Sequence, residues 1–266
     1  MSAILQTNDP LKIAGTTFTS RLMVGTGKYR SAGEMSAALN ASGAQIVTVA
    51  LRRIDFDDPE SRSILDDIDW QRYTILPNTA GCRTADEALR VARMARALGL
   101  SDWIKLEVIP EPTHLLPDPI GTFEAARQLI AEGFTVLPYI GADPVLATSL
   151  QAIGTATVMP LGSPIGSGQG LLNAEAIKLI VQQATVPVVV DAGIGVPSDA
   201  SLAMECGADA CLVNSAIALA DYPEQMAEAM ALGVSAGRMA YRAGRMEPRP
   251  TASASSPLRG VVGSPT

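Results

Sequence analysis

The sequence has very few histidines and aromatic residues. His114 is the only histidine, and Phe, Trp and Tyr together make up 4% of the 266 residues. A Ser-His-Asp triad or a metal site with several histidines is therefore nearly excluded, unless His114 is the single participant. We place His114 in a surface loop, because it follows Pro110-Glu111-Pro112-Thr113. Acid and base chemistry is left to Asp, Glu, Lys, Tyr or water.

Cysteines, long apolar runs and positive charge are also scarce. Cys82, Cys206 and Cys211 are odd in number and scattered, which argues against a disulfide framework. No apolar run is long enough to span a bilayer, and the amino terminus lacks the pattern of a secretory signal. The net charge of −7 disfavours nucleic-acid binding. We expect a cytoplasmic protein that binds neither nucleic acid nor membranes, with Cys82 a bystander thiol in a loop.

Short apolar runs rich in β-branched residues alternate with stretches of helical periodicity. Apolar residues make up 47% of the chain, enough for a large core. The predicted strands are 21–24, 45–51, 72–76, 103–109, 134–139, 156–159, 186–191 and 208–213. The predicted helices are 32–41, 63–67, 85–98, 120–131, 143–152, 174–183, 198–205 and 224–243. The predicted N-caps are Asp143, Asn173 and Ser198, and the glycines predicted to end helices are Gly99, Gly133, Gly154 and Gly207.

This alternation requires a parallel sheet with right-handed crossovers. Eight units in a chain of roughly 250 residues favour a closed (β/α)8 TIM barrel. The alternative is an open, doubly wound sheet, which usually carries Gly-x-Gly-x-x-Gly after its first strand. The segment 25–30 (GTGKYR) lacks the third glycine.

The predicted barrel has distinctive ends. Residues 11–20 alternate apolar and polar around Ala14-Gly15-Thr16 and predict a hairpin that plugs the amino-terminal end. We expect residues 1–245 to form a single catalytic domain. Residues 246–266 are rich in Pro, Ser, Ala and Gly, and predict a flexible tail that could act as a lid.

The fourth predicted strand carries charged residues on one face. Side chains alternate along a strand, so Ile104, Leu106 and Val108 face the outer helices while Lys105 and Glu107 face the barrel interior. One interpretation is a buried ion pair kept for structure. The other is a nucleophilic amine beside a proton-transfer group, in which burial favours the neutral amine and Glu107 opposes that effect.

The remaining lysines compete poorly with Lys105 for the nucleophilic role. Lys12 lies in the predicted hairpin and Lys178 on a helix. Lys28 follows the first strand at the active end of a barrel and is the serious rival, although it could instead contact a phosphate or carboxylate.

Glycine-rich turns follow strands six, seven and eight, at 162–170, 191–195 and 214–216. Glycine lets backbone N–H groups approach an oxyanion, and phosphates often bind at this rim of a barrel. These turns therefore predict a phosphate site. Asp191 at the end of strand seven is either a catalytic acid or a helix cap, and we favour catalysis. Arg52 and Arg53 either hold an anion or pair with nearby aspartates.

Five stretches of the chain, in order, resemble the thiazole synthases of bacterial thiamine biosynthesis (the ThiG family). They are 104–108 (IKLEV), 136–139 (VLPY), 159–168 (MPLGSPIGSG), 190–195 (VDAGIG) and 236–238 (AGR). The resemblance runs from Gly15 to the tail at 254–257, and five ordered motifs are far more specific than any one of them.

The resemblance implies a particular reaction on 1-deoxy-D-xylulose 5-phosphate. Lys105 would form an imine with its ketone, and Glu107 and Asp191 would move protons as the carbonyl migrates. Sulfur would come from the thiocarboxylate of a sulfur-carrier protein, and dehydroglycine from a ThiH-like or ThiO-like enzyme. The residues implied to bind the sugar phosphate are Gly166, Ala192, Gly193, Asn214 and Ser215.

Some expectations qualify this resemblance. Thr is common in the family where this chain has Ser215, and both residues carry a hydroxyl. The family implies a homotetramer, and we expect neither a cofactor nor a metal. Two alternatives remain: a Schiff-base aldolase acting on a sugar phosphate, and a non-catalytic sugar-phosphate sensor.

Overall fold

The structure is a computed structural model that describes residues 9–51 and 68–255. Its strands in these ranges are β1 (Leu11–Ile13), β2 (Thr16–Phe18), β3 (Leu22–Gly25), β4 (Ile46–Ala50), β5 (Thr74–Asn78), β6 (Trp103–Leu106), β7 (Thr135–Ile140), β8 (Met159–Pro160), β9 (Val189–Asp191) and β10 (Ala210–Val213). Its helices are α1 (Ala32–Ser42), α2 (Ala85–Ala97), α3 (Pro119–Ala131), α4 (Pro144–Ala152), α5 (Ala174–Gln183), α6 (Pro197–Glu205), α7 (Ser215–Ala218) and α8 (Pro223–Ala243). No helix in the described ranges is long and apolar enough to cross a membrane.

Strands β3 to β10 form one parallel sheet in the order β8-β7-β6-β5-β4-β3-β10-β9. Its two outer strands meet through two parallel bridges, which pair Val158 with Val188 and Leu161 with Asp191. The sheet thus curls into an eight-stranded barrel, as predicted, and the open doubly wound alternative is wrong. All eight predicted strands and seven of the predicted helices are present, while the helix predicted at 63–67 lies outside the described residues.

The predicted hairpin is present at the start of the described chain. β1 and β2 pair antiparallel around Ala14 and Gly15, whose φ angles of 46° and 79° are those of a type I′ turn. The buried side chains of Leu11, Ile13 and Phe18 pack with residues of the barrel interior such as Ile46, the first residue of β4. The hairpin therefore closes the amino-terminal end of the barrel.

The outer layer forms because apolar side chains alternate outward along the strands. Ile104, Leu106 and Val108 are fully buried in a cluster that includes Ala125 and Leu129 of α3. Their neighbours on the other face of the strand are left to the interior, which directs Lys105 and Glu107 inward.

Helix α8 packs unusually closely on α6. A Cβ at Gly233 would lie 2.6 Å from the carbonyl oxygen of Pro197, and one at Gly237 would lie 2.3 Å from that of Ser201. Glycine is therefore required at both positions, which accounts for the glycine in the AGR stretch at 236–238.

The helix ends agree with the sequence in most places. Asp143 caps α4 by accepting from Val145 N–H, whereas Asn173 occupies the N-cap position of α5 without a side-chain bond. The prediction of Ser198 as an N-cap is wrong. α6 begins at Pro197, and the carboxylate of Asp199 accepts from the N–H groups before it instead. Positive φ angles end helices at Gly99, Gly133, Gly154 and Gly207, as predicted.

Candidate active site

Three charged side chains meet inside the barrel. Lys105 is the third residue of β6, Glu107 directly follows that strand, and Asp191 ends β9. Lys105 Nζ lies 2.6 Å from Asp191 Oδ2 and 3.1 Å from Glu107 Oε1. All three residues are at most 5% exposed. The inward orientation predicted for Lys105 and Glu107 is therefore confirmed, and the ammonium is held between two carboxylates.

The electrostatics of this group favour a protonated lysine. Burial by itself lowers the pKa of Lys105, but the charges of Asp191 and Glu107 and their hydrogen bonds outweigh that effect and raise the pKa above its usual value. The sequence left the direction of this balance open. A nucleophilic amine therefore arises only after Lys105 passes a proton to a base, and two carboxylates lie within contact distance.

Thr79 fixes the main chain at Glu107. Its buried hydroxyl accepts from Glu107 N–H at 2.7 Å and donates to the Glu107 carbonyl at 2.7 Å. These bonds occupy both main-chain polar groups of Glu107, so β6 ends at Leu106 and not at the predicted residue 109. Thr79 thus positions the carboxylate next to Lys105, a role that the sequence did not reveal.

Tyr139 of β7 lies beside the ammonium and is a second residue of the site that sequence reasoning missed. The centre of its ring is 5.6 Å from Lys105 Nζ, a cation–π distance. The phenol is fully buried, and its hydroxyl has no hydrogen-bond partner among the described residues. Burial first, then the charges of Asp191 and Glu107, raise the pKa of Tyr139, so its phenol is neutral. The inward orientation of Tyr139 could have been predicted from strand alternation along the VLPY stretch.

A cavity of about 490 Å³ opens above these side chains at the carboxyl ends of the strands. All eight residues predicted for the site line it. They are Lys105, Glu107, Asp191, Gly166, Ala192, Gly193, Asn214 and Ser215. The rim position predicted for the glycine-rich turns is therefore correct.

The rim turn after β9 has a backbone that constrains its sequence. Gly193 has φ 76°, and a Cβ there would lie 1.9 Å from Ser163 Oγ. Ala192, although it has a Cβ, adopts φ 64°. Such a conformation costs roughly 1–2 kcal/mol and is typical of functional sites. The turn after β9 is thus shaped for the cavity at the expense of local strain.

Asn214 links the turn after β10 to the turn after β3. Its side-chain amide lies 3.2 Å from the Gly25 carbonyl oxygen and 2.9 Å from that of Gly27, and its NH2 group donates to both. A Cβ at Gly25 would come within 2.7 Å of Asn214. Asn214 therefore holds the loop that carries Lys28, whose Nζ donates to Ser215 Oγ at 3.1 Å.

Several residues considered from the sequence lie away from the cavity. His114 is exposed in its loop beside Glu111, as predicted. Lys178 pairs with Glu175 on the surface of α5. Cys82 lies in the loop after β5, as predicted, and is fully buried against the outer helices. Arg52 and Arg53 lie outside the described residues.

Comparison with known proteins gives consistent results. Residues 12–257 match the family model described as thiazole biosynthesis protein ThiG. The chain is 59% identical to a thiazole synthase of Thermosynechococcus vestitus, over 95% of this chain and 94% of that protein. It is also 59% identical to a bifunctional protein ThiO/ThiG of a Nostoc species, over 96% of this chain and 40% of that protein.

A solved structure shows the same fold. The crystal structure of the Amycolatopsis orientalis BexX/CysO complex superimposes with a TM-score of 0.81 at 37% sequence identity. The match covers 92% of this chain and 100% of that chain.

Proposed function

Since the chain belongs to the ThiG family of thiazole biosynthesis proteins and is a thiazole synthase of thiamine biosynthesis, we propose that Lys105 is the amine that carries its reaction. The aldolase and sensor alternatives are set aside, because relatives that match nearly their full length are named thiazole synthase. The substrate in this proposal is 1-deoxy-D-xylulose 5-phosphate. The observation that carries it is the buried amine in contact with two carboxylates beneath an open cavity.

The first step is the formation of an imine. The ammonium of Lys105 gives one proton to Asp191 or Glu107, and the free amine attacks the ketone carbon of the sugar. The resulting carbinolamine takes up a proton and loses water, which leaves a carbon–nitrogen double bond on Lys105. The short contact with Asp191 favours this residue as the first proton acceptor.

The same carboxylates then serve the later proton transfers. Removal of a proton next to the imine and its return one carbon along move the carbonyl along the sugar. We assign these transfers to Glu107 and Asp191, since both contact the reacting nitrogen. Sulfur from the thiocarboxylate replaces the carbonyl oxygen of the sugar, which leaves the carrier as a carboxylate. The carbon and nitrogen of dehydroglycine then complete the ring, with loss of water and release of the Lys105 amine.

The phosphate end of the sugar belongs at the glycine-rich rim. Gly166, Ala192, Gly193, Asn214 and Ser215 line the cavity above the amine. Positive φ angles at Gly166, Ala192 and Gly193 shape turns whose N–H groups suit an oxyanion. The Ser215 hydroxyl is a further hydrogen-bonding group, as threonine would be.

The comparisons suggest a sulfur-carrier partner and a ThiO-like enzyme. The bifunctional ThiO/ThiG relatives and the BexX/CysO complex support both. We propose, more specifically, a separate carrier with a carboxyl-terminal thiocarboxylate and a ThiO-like or ThiH-like source of dehydroglycine. We further propose a homotetramer in the cytoplasm and a single catalytic domain spanning residues 1–245. The lid predicted for the tail at 246–266 falls largely on residues 256–266, which lie outside the described part of the chain.

Trapping of the imine tests the proposal. The protein is incubated with 1-deoxy-D-xylulose 5-phosphate and borohydride, and the adduct is located by peptide mass mapping. We expect one adduct, on Lys105. Lys105→Arg should abolish both adduct and turnover, because arginine keeps the charge beside the carboxylates but has no free amine.

The matched control is Lys178→Arg, on the surface of α5, which should leave the adduct unchanged. Circular dichroism of both variants checks that the fold is retained. An adduct on another lysine, or turnover of Lys105→Arg within about tenfold of the parent protein, would show that Lys105 is not the nucleophile.

A further inference from the structure

Lys28 is a cation at the mouth of the cavity whose role the reaction scheme has not used. It lies in the loop after β3, is exposed, and adopts φ 73°, a left-handed conformation that is uncommon for a residue with a side chain. Such outliers are found where a side chain is held for function. Asn214 maintains this conformation from across the rim, by its two bonds to the preceding turn.

The ammonium of Lys28 converges with two residues of the proposed phosphate subsite. Its Nζ donates to Ser215 Oγ at 3.1 Å. A Cβ built on Gly166 would lie 3.2 Å from the same Nζ and 3.6 Å from Ser215 Oγ. The cation, the hydroxyl and the glycine turn therefore meet at one point of the rim.

The charges of the described cavity lining indicate what Lys28 could bind. Four ionisable side chains occur in its described lining: Lys28, Lys105, Glu107 and Asp191. Lys105 is already shared by two carboxylates, so these three groups carry a net charge of −1. Lys28 contacts a neutral hydroxyl, and it is the one cation of the described lining that no carboxylate neutralises.

A sugar phosphate brings roughly −1.5 to −2 charges to this cavity near pH 7. Without Lys28 that charge would meet a described lining that is already negative. With Lys28 the described lining is neutral overall, and the ammonium lies at the turn expected to hold the phosphate. We infer that Lys28 binds the phosphate group of the substrate and determines selectivity for a phosphorylated over a free ketose, an inference that rests on the proposed function.

The test compares two sugars on two variants. Lys28→Met keeps the length of the side chain without its charge, and Lys28→Arg keeps the charge. We measure the concentration of sugar that gives half-maximal borohydride-trapped adduct on Lys105, for 1-deoxy-D-xylulose 5-phosphate and for unphosphorylated 1-deoxy-D-xylulose.

Lys28→Met should raise the half-maximal concentration of the phosphorylated sugar by about tenfold or more and leave that of the free sugar unchanged. Lys28→Arg should recover most of the loss. If both sugars are affected equally, or the phosphorylated sugar not at all, the assignment of phosphate to Lys28 is overturned. An unchanged value for the phosphorylated sugar would be expected if Lys28 instead bound the carboxylate of dehydroglycine.

A measurement that needs no imine separates this inference from the proposed function. Binding of inorganic phosphate to the unmodified protein and to Lys28→Met is followed by calorimetry. Weaker binding to the variant supports Lys28 even if no adduct forms on Lys105, whereas equal binding overturns its role. Absence of any adduct in the parent protein would contradict the proposed imine on Lys105 but not the role of Lys28 in binding phosphate.

Discussion

Lys105 is protonated at rest, although its proposed reaction requires a free amine. Burial lowers the pKa of this lysine, and Asp191 and Glu107 together raise it further than burial lowers it. A group whose pKa is raised in the folded protein contributes stability at every pH below the unfolded value. That contribution is lost only as pH rises through the folded pKa, above about pH 10. The resting ion triad therefore persists throughout the neutral range.

Asp191→Asn should lower the pKa of Lys105, because it removes one of the two charges that oppose the effect of burial. The chain has four lysines, so a carbon-13 spectrum labelled at lysine side chains gives four signals, and Lys105→Arg identifies the one required. We expect its titration midpoint to fall in Asp191→Asn, while turnover is lost with the proton acceptor.

The Lys178 signal provides the internal control, since this side chain pairs with Glu175 on the surface. It should titrate at the same pH in the parent and the variant. An unchanged titration midpoint for Lys105 would mean that Asp191 does not raise the pKa of Lys105.

At the scale of residues, strand alternation was sufficient to predict that Lys105 and Glu107 point into the barrel. The place of Asp191 at the end of a strand left it as either a catalytic acid or a helix cap, and its contact with Lys105 is seen only in the structure. The contact between Thr79 and Glu107 could not be predicted, because a side-chain hydroxyl bonds the main chain of a residue 28 positions away. The direction in which the pKa of Lys105 shifts depends on its distances to Asp191 and Glu107, which the sequence does not give.

The turn after β9 is the element on which the proposed phosphate subsite depends most. Gly193→Ala should cost about 1–2 kcal/mol for its positive φ. It should cost about a further 1–3 kcal/mol for displacing Ser163, whose Oγ and N would lie 1.9 and 2.5 Å from the new Cβ. The free energy of unfolding in urea measures the total, and half-maximal trapping by the sugar phosphate should need more substrate.

Gly99→Ala is the matched control for this turn. Gly99 ends α2 with φ 71°, and a Cβ there meets nothing within 4 Å. It should show the conformational cost alone and trap the sugar phosphate normally. Equal losses in the two variants would indicate that the contact with Ser163 relaxes freely.

At the scale of elements, periodicity predicted which segments are strands and helices but not how they end. The short helix α7 was not predicted, because four residues are too few to show a helical period. Ser198 failed as a cap because Pro197 already occupies the first helical turn, where its missing N–H costs nothing. The ends of helices depend on which local groups bond the free N–H groups. The barrel itself depends on the alternation of apolar residues, which the sequence shows directly.

One cluster of charges joins the start of the described chain to the last helix, α8. Asp9 lies 3.1 Å from Arg21, the residue before β3, and 2.8 Å from Arg238 of α8. Its side chain is 17% exposed and that of Arg21 only 8%. Asp209 accepts weaker contacts from the same two arginines. The cluster therefore connects the hairpin, the first barrel strand and the last helix.

Asp9→Asn should destabilise the whole molecule at neutral pH, by about 1–3 kcal/mol, because two partly buried arginines lose their shared carboxylate. The hydrogen bond from Arg238, opposed by burial and aided by the charges of Arg21, Arg238 and Arg242, lowers the pKa of Asp9. A carboxylate whose pKa is lower in the folded than in the unfolded protein stabilises the fold at pH values above its unfolded pKa. This stabilisation is lost as the pH falls through its pKa in the folded protein. The difference between parent and variant should thus be full above about pH 5 and vanish well below about pH 4.

Urea unfolding at several pH values measures this difference, with Asp102→Asn as the control. Asp102 pairs with Arg96 at 2.6 Å, but its side chain is 66% exposed, so its loss should cost only about 0–1 kcal/mol. Equal losses in the two variants, or a loss for Asp9→Asn that persists in acid, would show that the cluster does not stabilise the contact between the start of the described chain and α8. A large loss confined to Asp9→Asn and to pH above its titration would instead mean that closure of the barrel depends on one carboxylate remote from the cavity. Stability and chemistry would then reside at opposite ends of the same barrel.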